Sequence, residues 1–174
     1  SYSTGARNPV TNLSTQGNVY WYGTLNNVNA SCPNNNSPVF TSQPIPYYCT
    51  GQQVQFNPGV IEPDGDSLSF SLISGLTSAT GTANYAAGYS PTNPFGAASP
   101  VTFNNATGQM SFVPTTAGNY LVVIEVCEYR NGILLGCVMR EFQIVIQTCN
   151  NSSPYMPFGI TNFNGSGTVL DSNS

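Results

Sequence analysis

The sequence predicts an all-β protein, built as an antiparallel sandwich of two sheets with a long irregular loop at residues 74–100. Hydrophobic and polar residues alternate with a period of two in several short segments, which is typical of strands with one buried face. Turn residues, mainly Gly, Asn and Pro, separate these segments. No segment has a convincing helical period, and about seven strands at this spacing favour two packed sheets.

The individual strands follow from local patterns. The first is Val19 to Leu25, and the clearest alternation is Ser67-Leu68-Ser69-Phe70-Ser71-Leu72. Asn131-Gly132 is a strong hairpin turn and predicts that the two long hydrophobic segments around it pair with each other. The other predicted elements are strands at 52–56, 101–103 and 109–113, an irregular strand at 84–89, and hairpin arms at 119–128 and 133–147.

The composition removes many kinds of chemistry. The chain of 174 residues has no His and no Lys, and its three basic residues are all Arg. Catalytic Ser-His-Asp or Cys-His groups, zinc bound by His and phosphate loops with Lys are therefore excluded. A net charge of -4 without a basic patch makes nucleic acid an unsuitable partner. We also find no apolar stretch of about 18 residues that would span a membrane. The chain does not begin with Met, and we interpret it as a mature form or an excised fragment.

Five cysteines in a chain of this composition indicate an oxidising compartment. Cys127 and Cys137 flank the hairpin turn and would lie opposite each other, so we predict a cross-strand disulfide. Cys32 and Cys49 bracket a short Pro-rich segment and form a second candidate pair, which leaves Cys149 over. The alternative is that some of these residues are buried thiols, because connectivity cannot be derived from sequence.

A short internal repeat suggests how the chain is organised. Cys32-Pro33-Asn34-Asn35-Asn36-Ser37-Pro38 resembles Cys149-Asn150-Asn151-Ser152-Ser153-Pro154, and one β-sandwich module would fit between the two phrases. We therefore predict an N-terminal arm, or the tail of a preceding module, at 1–31. The module itself would occupy 32–148, and 149–174 would be a linker or the start of a following module.

Three of the seven acidic residues lie within five positions, in Glu62-Pro63-Asp64-Gly65-Asp66. Charged residues make up only 6% of the chain, so this concentration is unusual for it. Crowded carboxylates repel one another unless a cation or hydrogen-bond donors neutralise them. Oxygen ligands at this spacing suit a hard cation such as Ca²⁺, which takes about six to eight of them.

Several phrases carry a resemblance to known families. The acidic turn continues into Asp64-Gly65-Asp66-Ser67-Leu68-Ser69-Phe70-Ser71-Leu72, and Thr107-Gly108-Gln109-Met110-Ser111-Phe112-Val113-Pro114 is followed by Ala117-Gly118-Asn119-Tyr120. This order resembles the cadherin-like and polycystic-kidney-disease-type immunoglobulin modules of bacterial surface proteins. The resemblance implies an immunoglobulin-like sandwich that binds, spaces or stiffens.

A narrower resemblance rests on two further phrases. Pro44-Ile45-Pro46-Tyr47-Tyr48-Cys49-Thr50-Gly51-Gln52 and Glu128-Tyr129-Arg130-Asn131-Gly132 are similar to segments of repeat proteins that Bacteroidota export by type IX secretion. These include adhesins associated with gliding motility. The similarity covers about residues 32–150 and implies an extracellular, cell-surface location.

The cadherin-like resemblance also implies a calcium site, because in those modules the acidic turn meets the end of the long strand. The implied ligand set is Glu62, Asp64, Asp66 and Glu128. Strand phase agrees with it, since Glu128 continues the predicted core-facing phase of its strand just beyond the buried part.

A plainer alternative needs no metal. The turn at 63–65 would then be solvated, and Glu128 would pair with Arg130 or Arg140.

Aromatic residues in the long loop, Tyr85, Tyr89 and Phe95, are candidates for ligand contact, for example by stacking on surface glycans. Pairs of carboxylates can also hydrolyse glycosides, but nothing in the pattern suggests the deep groove that such enzymes need. We expect no enzyme.

The sequence therefore predicts three candidate functions. The first is a structural or adhesive repeat module of a secreted bacterial surface protein, acting as a spacer stiffened by Ca²⁺. The second is a subunit of an extracellular filament joined by β-strand exchange, and the third is a carbohydrate-binding module. The expected partners are neighbouring modules, other copies of the chain, or surface glycans.

Overall fold

The computed structural model of the chain describes residues 2–26, 34–42 and 46–150. These residues contain twelve strands and no helix, and so none that could cross a membrane. The strands are β1 (Tyr2–Ala6), β2 (Asn18–Trp21), β3 (Gly23–Leu25), β4 (Val39–Phe40), β5 (Tyr47–Cys49), β6 (Val54–Phe56), β7 (Val60–Ile61), β8 (Ser67–Leu72), β9 (Thr102–Phe103), β10 (Met110–Phe112), β11 (Gly118–Arg130) and β12 (Ile133–Gln147). The predicted all-β fold is confirmed.

The central sheet is built on the β11–β12 hairpin, which the sequence predicted. Asn131 and Gly132 form its turn with φ angles of 53° and 80°, the left-handed conformation that these two residues tolerate best. The sheet order is β3-β12-β11-β8, and β5 adds to the far end of β12 in parallel orientation. All other strand pairs are antiparallel, including β1–β2 and β4–β7.

One face of the central sheet carries the main core. Tyr120, Val122, Ile124 and Val126 point into it, as the alternation predicted, and each is at most 1% exposed. The sheet β6-β10-β9 covers this face, with Met110 at 0% exposure among its core residues. Two sheets, antiparallel apart from β5, therefore pack face to face, which agrees with the predicted layering.

The opposite face of the central sheet is also covered, by the N-terminal residues and by part of the long loop. A second core there contains Val10, Leu13, Leu121 and Val123. The side chain of Asn12, fully buried, accepts a hydrogen bond from Leu121 N (2.9 Å) and donates one to Leu121 O (2.8 Å). Residues 2–26 thus pack on their own chain. The predicted boundary at 31/32 lies outside the described residues.

Two disulfides are present, and one differs from prediction. Cys127–Cys137 bridges directly paired residues of β11 and β12, as the hairpin turn predicted. Cys49, however, bonds Cys149, so the predicted Cys32–Cys49 pair is wrong. The cause is the parallel strand β5, which sets Cys49 opposite Gln147, two residues before Cys149. Cys32 lies outside the described residues.

Other local predictions were corrected as well. The single strand predicted at Val19–Leu25 is interrupted at Tyr22, because β2 pairs with β1 whereas β3 pairs with β12. The irregular strand predicted at 84–89 is absent from this described segment, which contains only an isolated bridge between Tyr85 and Leu13. Four short strands, β1, β4, β5 and β7, were not predicted.

Candidate metal centre

The acidic residues meet at one end of the central sheet. Glu62 directly follows β7, and Asp66 directly precedes β8, with Gly65 between them at a φ of 82° that favours glycine. Glu128 lies near the end of β11, opposite Leu68 of β8 and Gly136 of β12. Neighbouring strands therefore bring the turn and the long strand together.

Three of the four predicted ligands form a cluster. Glu62, Asp66 and Glu128 each offer a carboxylate oxygen, and these oxygens all lie within 4.8 Å of one another. Glu128 is 1% exposed, and the side chain of Asp66 is 3% exposed. We call Glu62, Asp66 and Glu128 the acidic cluster.

Asp64 does not belong to the acidic cluster. Its carboxylate is exposed and accepts hydrogen bonds from the backbone N and the side-chain amide of Asn36. These bonds, and to a smaller degree the charge of Arg130, lower the pKa of Asp64. Asp64 therefore lies at the rim of the site rather than inside it.

The arginines do not pair as the metal-free alternative predicted. Arg130 pairs with Asp66 through two parallel bonds of 2.7 Å, from Nε and Nη2, instead of with Glu128. The Nη2 atom of Arg130 lies 3.8 Å from Oδ2 of Asp64. Arg140 lies on the core side of the sheet, 5.0 Å from the ring centre of Phe142. The predicted pairing of Glu128 with either arginine is wrong.

Two oxygens of the acidic cluster are buried and have no donor in the described part of the chain. Glu62 Oε2 accepts from Asp66 N (2.6 Å), and Glu128 Oε1 accepts from Asn35 Nδ2 (2.6 Å). Their companions, Glu62 Oε1 and Glu128 Oε2, have no hydrogen-bond partner among the residues that the structure describes. Leaving a buried polar atom unpaired costs about 1–3 kcal/mol, and more for a charged group.

The net charge at this end of the sheet is also unbalanced. Glu62, Asp64, Asp66 and Glu128 supply four negative charges and Arg130 one positive charge, which leaves -3 when all are ionised. Burial raises the pKa of Glu128, the bond from Asn35 opposes that rise, and the charges of Glu62, Asp66 and Asp64 add to it. The cluster therefore combines an excess of negative charge with one buried carboxyl group, Glu128, whose ionisation is disfavoured.

Sequence reasoning missed three contributors to this site. Asn35 bonds Glu128, Asn34 O accepts from Arg130 Nη1 (3.1 Å), and Gly136 leaves room for the Glu128 side chain. A Cβ on Gly136 would lie 3.0 Å from Glu128 Oε1 and 2.5 Å from the carbonyl oxygen of Thr24. In the sequence, Asn34 and Asn35 were visible only as part of the Asn-rich phrase that follows Cys32.

A second group of potential ligands is chemically different. Glu125, Cys127 and Cys137 lie together, but the two sulfurs are bonded to each other and so cannot bind a metal as thiolates. Glu125 accepts a hydrogen bond from the Tyr22 hydroxyl. Burial, together with this bond and the charge of Glu125, raises the pKa of Tyr22 to about 12.

The three aromatic residues predicted to contact a ligand do not form an exposed platform. Phe95 is 4% exposed and stacks on Phe112 with ring centres 4.0 Å apart, so its predicted role is wrong. Tyr89 packs against Tyr120, and Tyr85 packs on the second core. Both tyrosines are partly exposed, and a ligand contact by either remains a prediction.

Comparison with known proteins identifies no family. No family model matches the chain, and no curated protein matches it. Among solved structures, the chain is similar to a candidate alpha-galactosidase from Bacteroides fragilis, with 17% sequence identity and a TM-score of 0.40. The match covers 65% of this chain but only 18% of the other. A similarity at this level carries no argument about function.

Proposed function

We propose that this chain is a structural or adhesive module of a secreted bacterial surface protein, in which Ca²⁺ stiffens one end of an immunoglobulin-like sandwich. The observation that carries the proposal is the pair of buried oxygens, Glu62 Oε1 and Glu128 Oε2, that have no described donor. A cation between them would satisfy both oxygens and remove most of the excess negative charge.

The donor set favours calcium over other metals. The side-chain ligands of the acidic cluster are carboxylate oxygens, the chain has no His, and four of its five cysteines are in disulfides. Zinc and copper prefer nitrogen or sulfur, whereas Mg²⁺ demands a near-ideal octahedron and retains several waters. Ca²⁺ tolerates irregular geometry and would complete its shell with backbone carbonyls or water.

A cation at this position would stiffen the module because it would join separate segments. The acidic cluster connects the turn before β8 with the end of β11, and Asn35 and Asn36 fasten the preceding segment to the same place. Closing these contacts would restrict the bending of residues 34–36 relative to the sheet. The two disulfides indicate an oxidising compartment, which supports a location outside the cytoplasm.

A filament subunit is the second candidate, and one observation favours it. On the outer edge of β12, β3 pairs with residues 136–138 and β5 with residues 145–147. Between these two positions, residues 139–144 have no strand partner on that edge within the described parts of the chain. A segment of this length without a described strand partner could accept a strand from another copy.

Thermal unfolding with Ca²⁺, and again with a chelator, tests the calcium proposal. Ca²⁺ at 100 times its dissociation constant should stabilise the folded chain by about 2.7 kcal/mol, which corresponds to several degrees in Tm. The Glu128→Gln variant should lose this shift. Glu125→Gln removes one charge from the opposite face of the same strand and should retain it.

Two results would overturn the proposal. One is an unchanged Tm at millimolar Ca²⁺, and the other is an equal loss of the shift in both variants. Static light scattering in the same samples addresses the second candidate, because concentration-dependent growth of the chain into polymers without Ca²⁺ would favour strand exchange.

A further inference from the structure

We propose that a second site, separate from the acidic cluster, binds a neutral sugar ring. A cleft of about 210 Å³ lies between the β1–β2 hairpin and the outer face of the central sheet. This is below the range of about 300–1,000 Å³ for sites that enclose a drug-sized ligand, so a single ring is the appropriate size. Glu141 is five residue pairs from Glu128 along the β11–β12 ladder, or about 17 Å, so the two sites can be tested independently.

A rigid ion pair forms the polar wall of the cleft. Arg7, whose side chain is 3% exposed, binds Glu141 through bonds of 2.7 Å from Nε and 2.8 Å from Nη2. The Gln16 and Leu76 carbonyls accept the remaining Arg7 bonds, at 2.9 and 3.1 Å. The pair is therefore fixed and its charges cancel, which favours an uncharged ligand over an anion. Each Glu141 oxygen can still accept a bond from a hydroxyl group.

The rest of the cleft provides an apolar floor and an aromatic wall. Val10, Val19 and Leu121 line it and are at most 7% exposed, and Trp21 lies beside them, partly exposed. A sugar ring has apolar C–H faces and a polar edge of hydroxyl groups. It therefore needs an aromatic or apolar surface next to convergent polar groups, which is the arrangement found here.

Two amide side chains at the rim of the cleft would form hydrogen bonds with the hydroxyl groups of the sugar. Asn8 Nδ2 donates to Gln143 Oε1 at 3.3 Å, a long and exposed bond that a ligand could replace at little cost. The other amide atoms, Asn8 Oδ1 and Gln143 Nε2, are an acceptor and a donor of the kind that hydroxyl groups pair with.

The emission of Trp21 provides a direct test, because the chain contains a single Trp. The probes are the methyl glycosides of glucose, galactose, mannose and N-acetylglucosamine, with inorganic phosphate as an anionic probe. At least one glycoside should change the emission with saturation and a dissociation constant on the order of 1 mM, as expected for one ring and a few hydrogen bonds. Phosphate should have no effect.

Matched variants make the test specific. Gln143→Ala should weaken the binding of that glycoside by roughly tenfold. Gln147→Ala, four residues further on the same face of β12, should leave it unchanged, and both variants should melt like the parent chain. The proposal is overturned if no glycoside produces a saturable change up to about 100 mM. It is also overturned if only phosphate does, or if the two variants bind equally.

Discussion

Two glutamates on the same hairpin, Glu128 buried and Glu141 largely buried, have opposite surroundings. Glu141 on β12 faces the second core and is bound by both arms of the Arg7 guanidinium, at 2.7 and 2.8 Å. Glu128 on β11 is 1% exposed, receives one bond from Asn35, and has Glu62 and Asp66 as its acidic neighbours. The first carboxylate is paired with an arginine, whereas the second has no cationic partner in the part of the chain that the structure describes.

The difference shows how the chain uses its few positive charges. It has three arginines and no Lys or His. Arg7 binds Glu141, Arg130 binds Asp66, and Arg140 lies over the rings of Phe40 and Phe142. Among the described residues, no arginine forms an ion pair with Glu62 or Glu128.

The largest expected loss of stability comes from breaking the ion pair between Arg7 and Glu141. Arg7→Ala leaves Glu141 buried without its partner, and removing one member of a buried ion pair costs about 3–5 kcal/mol. The free energy of unfolding in urea should fall by this amount. In the Arg7→Met/Glu141→Met double variant, much of the loss should be recovered, since no charge is left unpaired. A loss below about 1 kcal/mol in the single variant would show that the pair is solvated.

Crowding at Gly136 should produce the next largest effect. A Cβ there would lie 2.5 Å from the Thr24 carbonyl oxygen and 3.0 Å from Glu128 Oε1, so Gly136→Ala displaces both β3 and the acidic cluster. We expect a loss of about 1–3 kcal/mol and a weaker response to Ca²⁺. Gly5→Ala is the control, because a Cβ at Gly5 would meet none of the described atoms within 4 Å. Equal stability of the two variants in denaturant would contradict the close contact.

Neutralising Glu128 should increase the stability of the chain, in contrast to the two substitutions above. In the presence of a chelator, Glu128→Gln removes a buried charge and its repulsion from Glu62 and Asp66, so the free energy of unfolding should rise by about 1–3 kcal/mol. The same substitution at Glu141 should destabilise, because it weakens the bond to Arg7. Urea unfolding of the two variants side by side measures the contrast, and equal signs would mean that the two carboxylates do not differ in the way described.

The pH dependence follows from the raised pKa of Glu128. A carboxyl group whose folded-state pKa is raised contributes stability that is fully present below its unfolded pKa and is lost as pH rises through the folded pKa. In chelator, Tm should therefore decrease as pH rises above the ordinary range of glutamate. With Ca²⁺, the stabilisation should instead increase with pH, because metal and proton compete for the same oxygens. The lowered pKa of Asp64 acts at lower pH, where protonation destabilises. A flat profile in chelator would contradict the buried charge.

The sequence predicted the parts of the molecule that local patterns control. Alternation and the Asn131-Gly132 turn are local, so β8 and the β11–β12 hairpin could be derived. Strand phase placed Glu128 at one end of the sandwich, whereas its contact with the acidic turn was implied by the cadherin-like resemblance. The parallel pairing of β5 with β12 depends on contacts about 100 residues apart, which no local pattern encodes. For this reason the Cys49–Cys149 bond was missed, as were the contacts of Arg130 with Asp66 and of Arg7 with Glu141.

The smallest effect is expected at the rim of the acidic cluster. Asp64 is exposed and bound by Asn36, so Asp64→Asn removes a screened charge that lies outside the group formed by Glu62, Asp66 and Glu128. Calcium affinity measured by calorimetry should fall by no more than roughly threefold, and less at high salt. Asp66→Asn, in contrast, removes a member of the cluster and the partner of Arg130, and should abolish the response. If Asp64→Asn proved as damaging as Asp66→Asn, Asp64 would be a direct ligand, and the cation would lie nearer the surface than the buried oxygens of Glu62 and Glu128 indicate.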